Sequence, residues 1–159
     1  MKTLVLAVGR LKDAPYREIE AHYVKLLGRY SPIEVIETKD EKLPARSARQ
    51  EEKKKILEAE GEKLLERVPS GAHLVALDVT GKSRSSEQMA HWLSQKLEAG
   101  RPLAFAIGGP FGLGSKILEV SREKLSLGPL TLPHQLARVV LLEQLYRSWT
   151  ILRGETYHY

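Results

Sequence analysis

The residues best suited to do chemistry are the glycines that follow an apolar run in the C-terminal half of the chain. Residues 103–107 are apolar throughout, as expected of a strand buried on both faces, and four of the seven residues in 108–114 are glycine. Open α/β sheets bind ligands beyond the carboxyl ends of their strands. Glycine also lets the backbone approach a ligand closely. The pattern predicts a ligand-binding loop, with a tight structural turn as the alternative.

A second irregular stretch, residues 127–133, is apolar and contains two prolines. Proline restricts the backbone, so this stretch could form a rigid pocket wall against a flat apolar ring. Packing against the core is the alternative, and the stretch alone does not decide between the two.

Other catalytic motifs fail at specific positions. Gly81, Lys82 and Ser83 resemble the end of a phosphate-binding P-loop, but Ala76 stands where that loop needs its first glycine. Residues 108–114 contain no G-x-G-x-x-G register, which disfavours a nicotinamide enzyme. H-E-x-x-H and G-x-S-x-G are missing, and the five histidines lack the spacing of metal ligands. We therefore expect neither a metal site nor a serine hydrolase.

The elements that must position these loops follow from periodicity. Short apolar runs alternate with longer segments of helical spacing, which predicts an α/β fold with a mostly parallel sheet covered by helices. The predicted strands are 4–8, 33–36, 74–79, 103–107 and 125–127, and the predicted helices are 13–28, 47–68, 85–100, 115–121 and 133–152. Residues 80–86 are predicted to be a polar loop. Ser47 with Gln50, and Ser85 with Gln88, have the spacing of capping boxes.

The last predicted helix is apolar over more than one face. Such a helix must be buried on several sides, and one small chain offers little to cover it. We therefore expect a homodimer. A central helix buried within the monomer is the alternative.

Composition sets the remaining limits. A chain of 159 residues with 42% hydrophobic and 28% charged residues predicts one globular domain over 1–159. The formal net charge of +5 permits a polyanionic partner without requiring one. The absence of cysteine excludes disulfides, zinc ribbons, iron–sulfur clusters and cysteine nucleophiles, and favours a cytoplasmic setting. No apolar run is long enough to cross a membrane, so we expect no membrane partner.

Six segments, in order and spread over nearly the whole chain, resemble one family of enzymes. They are LAVGRLK at 6–12, LDVTGK at 77–82, IGGPFGL at 107–113, LTLPH at 130–134, EQLYR at 143–147 and RGETYH at 153–158. Their order and spacing resemble the SPOUT class of methyltransferases, and most closely the ribosomal RNA large subunit methyltransferase H family.

The resemblance implies a SPOUT-type α/β fold with helices on both faces of the sheet and a C-terminal trefoil knot. It implies a homodimer that binds S-adenosylmethionine in the knot and needs no metal. The implied reaction is methylation of N3 of a pseudouridine in 23S ribosomal RNA, on the assembled ribosome. Two alternatives remain: a methyltransferase of the same fold acting on another RNA nucleotide, and a non-catalytic ribosome-binding relic.

Site residues are carried over by motif. The residues expected to contact S-adenosylmethionine are Leu77, Gly108, Leu127, Gly128, Pro129, Leu130, Thr131 and Leu132. Main-chain groups of the last six would hydrogen-bond the adenine edge. The residues expected to act in catalysis are His158, Tyr157 and Arg147, and the basic residues expected to meet RNA are Arg10, Lys12, Lys82, Arg84 and Arg153. As alternatives, Arg147 could form a helix-surface ion pair with Glu143, and His158 could belong to a frayed terminus.

Overall fold

The computed structural model describes residues 1–42 and 49–157 as a parallel sheet with helices between its strands. The strands are β1 (Thr3–Val8), β2 (Ile33–Thr38), β3 (His73–Ser83), β4 (Leu103–Ile107) and β5 (Glu123–Ser126). The helices are α1 (Ala14–Leu27), α2 (Gln50–Leu65), α3 (Ser86–Glu98), α4 (Ser115–Val120) and α5 (His134–Arg153).

The strand order is β2-β1-β4-β3-β5, and each neighbouring pair is parallel. β1 and β4 lie inside the sheet, and every residue of both strands is buried. Because parallel strands need a crossover connection, each pair of consecutive strands is joined through a helix. The predicted α/β class is confirmed.

Side chains alternate between the two faces of the sheet, and each face has its own core. Val5 and Phe105 belong to the core built with α1, α3 and α5. Leu4 and Ala104 belong to the core built with α2 and α4. This alternation is the two-residue period of a strand, and it explains why β1 and β4 read as unbroken apolar runs. The prediction of helices on both faces is confirmed.

Helix ends follow local chemistry where the sequence shows it. Gln88 N donates to Ser85 Oγ at 3.2 Å, and Ser85 N donates to Gln88 Oε1 at 2.9 Å, so the predicted capping box of α3 is formed. Gly100 and Gly154 follow α3 and α5 with φ of 66° each, the left-handed conformation that glycine adopts without strain. The capping box predicted at Ser47 lies outside the described residues.

The predicted polar loop at 80–86 is partly wrong, because β3 continues to Ser83. β3 approaches β5 twice: Leu77 and Lys82 are both in register with Leu125, and the register shifts between them. Gly81 lies against the β5 backbone, where a Cβ would be 2.6 Å from the carbonyl carbon of Lys124. Polar residues can form this last part of β3 because it is held by main-chain pairing with β5 and not by burial of its side chains in an apolar core.

α5 is covered largely within the chain. Its apolar side chains pack against the sheet, α1 and α3, and those that are buried are Val139, Leu141, Leu142, Leu145 and Trp149. The alternative of a central helix within the monomer accounts for these residues. The apolar character of α5 therefore no longer argues for a homodimer, which stays a prediction.

Candidate active site

The carboxyl end of β4 and the middle of β3 border a cavity of about 680 Å³. Its walls come from residues 77–79 of β3, residues 107–113, residues 127–133 and the first turn of α5. Small-molecule sites typically have volumes of about 300–1,000 Å³ and occupy this edge of α/β sheets. The fold thus brings the glycine loop (108–114) and the proline loop (127–133) to one cavity.

The glycine loop turns back on itself. Gly112 N donates to Gly109 O at 2.9 Å, and the two residues form an isolated antiparallel bridge. A Cβ on Gly108 would lie 2.1 Å from Gly112 O, and Gly112 has a φ of 82°. The loop therefore needs glycine at 108 for space and at 112 for conformation.

The proline loop offers unpaired main-chain groups. Its start is fixed by Ser126, whose Oγ donates to Gly128 O at 3.0 Å and accepts from Gly128 N at 3.2 Å. Within the described residues, no main-chain group of Leu130, Thr131 or Leu132 hydrogen-bonds to protein. Leu130 is 74% exposed. Free amide and carbonyl groups beside apolar side chains suit a flat ligand with a polar edge.

The third wall is the excursion of β3 between its two approaches to β5. Leu77, Asp78 and Val79 line the cavity there. Asp78 Oδ1 accepts hydrogen bonds from Thr80 N at 2.8 Å and from Thr80 Oγ1 at 2.5 Å. The carboxylate thus closes a local turn within β3.

His134 is the first residue of α5 and lines the same cavity. Burial lowers the pKa of this half-buried imidazole; Asp40 opposes that shift, and Arg138 and Lys12 add to it. A histidine with a lowered pKa is neutral at physiological pH.

Arg138 fixes the first turn of α5. Its side chain is only 3% exposed and forms ion pairs with Glu20 of α1 and, at 2.8 Å, with Glu37 of β2. Ala137 N donates to Pro133 O at 2.9 Å in the same turn. His134 therefore stands on a turn that is tied to two other elements.

The residues predicted to contact the methyl donor lie together, with one exception. All of them line the cavity except Pro129, which is exposed in the same loop. Their role as ligand contacts stays a prediction. The lining residues that the prediction omitted include Asp78, Val79, Ile107, Phe111 and His134. Each belongs to a segment already singled out, so adjacency was the signal available for finding them.

Tyr157 and Arg147 also lie together, but around Glu143. Arg147 Nε and Nη2 contact Glu143 Oε1 at 2.9 and 2.6 Å. Tyr157 OH lies 3.3 Å from the same oxygen and 3.4 Å from Tyr23 OH, and the Arg147 guanidinium lies 4.8 Å from the centre of the Tyr157 ring. The ion pair predicted as the alternative for Arg147 is formed. His158 lies outside the described residues.

This group of residues, the Glu143 cluster (Tyr23, Glu143, Arg147 and Tyr157), is remote from the cavity. At 1.5 Å per residue, Arg147 lies about 15 Å beyond Ala137, the lining residue furthest along α5. Burial and a hydrogen bond with Tyr23 raise the pKa of Tyr157, as does the charge of Glu143. Tyr157 therefore keeps its proton at neutral pH and is a poor general base. Within one chain, the structure does not bring Arg147 and Tyr157 to the cavity.

Four of the five predicted RNA contacts are exposed: Arg10, Lys12, Lys82 and Arg153. Arg84 differs, because its side chain is only 8% exposed. Its Nη2 lies 2.8 Å from Glu123 Oε2, and its guanidinium lies 5.1 Å from the centre of the Trp92 ring. Arg84 connects β5 with α3 in the core and is a poor candidate for an RNA contact.

Two kinds of feature are absent from residues 1–42 and 49–157. No three side chains among His, Asp and Glu come close enough together to hold a metal ion. Within the same ranges, no helix combines the length and apolar character needed to cross a membrane.

These features define the class of protein. A parallel α/β sheet carries one glycine loop, without a dinucleotide fingerprint, against a second loop with free main-chain groups. This is an α/β protein with a cavity of small-molecule size at the carboxyl edge of its sheet.

Comparison with known proteins identifies the family. A family model described as "Predicted SPOUT methyltransferase" matches residues 1–158. The chain belongs to the SPOUT methyltransferase family, which confirms the resemblance seen in its motifs.

Three curated relatives cover almost the full chain, and each is named ribosomal RNA large subunit methyltransferase H. The relative from Pelotomaculum thermopropionicum is 49% identical over 98% of this chain and 97% of its own length. The relative from Carboxydothermus hydrogenoformans is 42% identical over 99% of both chains. The relative from Listeria monocytogenes is 41% identical, also over 99% of both chains.

Proposed function

We propose that this protein transfers a methyl group from S-adenosylmethionine to N3 of a pseudouridine in 23S ribosomal RNA. The observation that carries the proposal is the cavity between the glycine loop and the proline loop, in a chain of the SPOUT methyltransferase family. The names of the three relatives support large-subunit ribosomal RNA as the substrate.

The residues around the cavity fit the methyl donor. Leu77, Leu130 and Leu132 offer apolar surface for the faces of an adenine ring. The free main-chain groups of residues 130–132 can pair with the ring edge. A buried polar group left without a partner costs about 1–3 kcal/mol, so such pairing selects one base over others. The knot expected in the C-terminal part of the fold belongs to the same proposal.

S-adenosylmethionine supplies a methyl group bonded to a positively charged sulfur, and transfer of that group needs no metal. The contribution of the protein is to position the two reactants. The apolar walls exclude water, and the main-chain groups fix the orientation of the bound molecule, which reduces the entropy cost of bringing two reactants together.

The proposal includes a homodimer. Because Arg147 lies about 15 Å beyond the cavity along α5, and Tyr157 lies beside Glu143 rather than at the cavity, we propose that they act there from a second copy of the chain. Val79, Phe111 and Leu130 are exposed apolar side chains at the cavity, and such groups mark binding surfaces. In this arrangement, Arg147 of the second copy would stabilise the anion that develops on the target base.

RNA would be held by exposed cations. Arg10, Lys12, Lys82 and Arg153 can contact phosphates, and such binding weakens steeply as salt rises. A chain of this size has no obvious separate RNA-binding module, so we propose the assembled ribosome as substrate. That substrate implies action in the cytoplasm.

The deciding experiment is mass mapping of 23S ribosomal RNA from a strain that lacks the gene. We expect the loss of one methyl group from one pseudouridine. Adding the purified protein and S-adenosylmethionine to ribosomes from that strain should restore it, whereas Gly108→Ala protein should not. An unchanged RNA mass map would overturn the substrate assignment.

Two further measurements separate the alternatives. Restoration of a methyl group at another nucleotide would favour a different target, and calorimetric titration with S-adenosylmethionine giving no heat would favour a non-catalytic relic. For the dimer, mixing Gly108→Ala with Arg147→Ala protein should recover activity that neither variant has alone. Failure to recover would contradict a cavity completed by a second copy.

A further inference from the structure

Methylation of an imide nitrogen requires a group that removes its proton. N3 of the target base carries a hydrogen that is only weakly acidic, and the neutral nitrogen is a poor nucleophile. A positioned side chain with a pKa near the working pH performs this task best. The proton acceptor should therefore be sought among the side chains of the cavity.

Among the described residues that line the cavity, two have titratable side chains, Asp78 and His134. Asp78 already accepts two hydrogen bonds from Thr80. Carboxylates are also weaker bases than imidazole. His134 is different, because within the described chain neither of its ring nitrogens hydrogen-bonds to another residue. Among the described residues of the cavity wall, His134 is therefore the base whose ring nitrogens are available to a substrate.

The surroundings of His134 suit a proton acceptor. Burial keeps the imidazole neutral, and Lys12 and Arg138 disfavour protonation, whereas the carboxylate of Asp40 would stabilise the imidazolium once it forms. The ion pairs of Arg138 with Glu20 and Glu37 hold the turn that carries the ring. The base is therefore both unprotonated and fixed in place.

We propose that His134 accepts the N3 proton of the target base during methyl transfer, an inference that rests on the function proposed above. The imide proton passes from N3 to a ring nitrogen of His134. The electron pair of the N3–H bond forms the new bond from N3 to the methyl carbon, and the pair of the broken carbon–sulfur bond stays on sulfur. The imidazolium then returns its proton to solvent.

The experiment compares His134→Gln with a matched control, His91→Gln, at an exposed histidine of α3. Single-turnover methylation of ribosomes is measured from pH 5 to 10. We expect the His134 variant to be about 10²- to 10⁴-fold slower at neutral pH, the range for loss of a general base. The His91 variant should match the wild type. Calorimetric binding of S-adenosylhomocysteine should change less than about threefold in both variants, because a lost base costs rate rather than donor affinity.

Two signatures distinguish a base from a structural residue. The wild-type rate should fall in acid with a midpoint equal to that of the His134 C2 proton signal in an NMR titration of the free protein. The His134→Gln rate should lack that midpoint and rise with pH, because hydroxide ionises N3 directly and replaces the missing base.

Other results would overturn the inference. A normal rate for His134→Gln would do so, as would an equal loss of rate and donor affinity, which would make His134 a donor contact. If the acid midpoint of the rate is lost in His158→Ala but kept in His134→Gln, the proton acceptor is the C-terminal histidine instead. If the wild type methylates no ribosomal RNA at all, the proposed function fails instead, which is a distinct result.

Discussion

The surroundings of Glu123, at the amino end of β5, and the cavity beside the carboxyl end of β4 are built in opposite ways. Glu123 accepts hydrogen bonds from His73, Arg84 and Trp92 at 2.8 Å each, and Lys96 lies 2.5 Å away. At the cavity, no main-chain group of residues 130–132 hydrogen-bonds to another described residue, and Leu130 is exposed to solvent. The Glu123 cluster (these five residues) binds the protein to itself, whereas the cavity is left to bind something else.

In this fold, the Glu123 cluster and the cavity therefore serve different purposes, stability and binding. A half-buried carboxylate that neutralises a buried guanidinium and has further cationic partners contributes mainly to folding. Free main-chain groups and exposed apolar surface contribute little to folding, and they become useful once a ligand covers them. We therefore expect variants in the two regions to affect different measurements.

The largest effect is expected for Glu123→Ala. It leaves the Arg84 guanidinium buried without its anion, and loss of one partner of a buried pair costs about 3–5 kcal/mol in free energy of unfolding. Urea denaturation measures this loss. Glu62→Ala is the control, because its ion pair with Lys116 is exposed and should cost less than about 1 kcal/mol. Similar losses of unfolding free energy in both variants would mean that the Glu123 cluster stabilises the fold no more than an exposed ion pair does.

Acid should reveal the same carboxylate in the wild type. Burial alone would raise the pKa of Glu123, but hydrogen bonds from Lys96, Trp92 and His73 outweigh it and lower the pKa to about 2. A lowered carboxyl pKa stabilises the fold above the unfolded value, and this stabilisation is lost as pH falls towards the folded value. We expect about 3 kcal/mol to disappear between pH 4.5 and pH 2, an order of magnitude set by the shift. Denaturation of Glu123→Gln should lack most of this slope, and an unchanged slope would contradict the assignment.

At the cavity, Gly108→Ala should damage binding rather than folding. Its Cβ would meet Gly112 O at 2.1 Å, so the glycine loop must open. We expect at least a tenfold loss in calorimetric affinity for S-adenosylhomocysteine, about 1.4 kcal/mol. Gly71→Ala is the control, because a Cβ there would have no atom within 4 Å, although its φ of 74° strains an alanine. It should cost about 1 kcal/mol of stability without changing affinity. Unchanged affinity in Gly108→Ala would mean that the glycine loop does not shape the site.

The smallest effect on stability is expected for Leu130→Ala. Because the side chain is largely exposed, the free energy of unfolding should change by less than about 0.5 kcal/mol. Affinity for S-adenosylhomocysteine should fall severalfold, since the side chain would cover one face of the ligand. Leu93→Ala, at a buried leucine of α3 away from the cavity, should show the reverse pattern, with a loss of about 2–5 kcal/mol in stability. A large stability loss in Leu130→Ala would mean that the cavity wall also stabilises the fold, which would contradict the distinction between the two regions.

Much of the fold could be predicted from the sequence, because local patterns determine it. The unbroken apolar runs of β1 and β4 reflect burial on both faces, and the Ser85–Gln88 capping box needs no distant partner. The extension of β3 could not be predicted this way. Polar residues form it by pairing with β5, which lies some forty positions further along the chain.

The site was predictable to the extent that single segments carry it. The glycine loop and the proline loop were each recognisable, but their meeting in one cavity depends on the strand order. Arg84 looked like a loop cation until Glu123 supplied a buried partner from another element. Arg147 and Tyr157 had the residue types of a catalytic pair, yet α5 carries Arg147 away from the cavity and Tyr157 lies against Glu143.

The contact between Gly81 and the β5 backbone also limits where circular permutation could introduce new chain termini. Any larger residue at 81 would meet main-chain atoms of Lys124 and Leu125, which cannot move aside as a side chain can. New chain ends opened at such a close crossing of two strands would leave backbone groups without their partners, unlike ends opened at an exposed loop tip. Circular permutation should therefore succeed at the exposed turn around Gly71 and fail around Gly81.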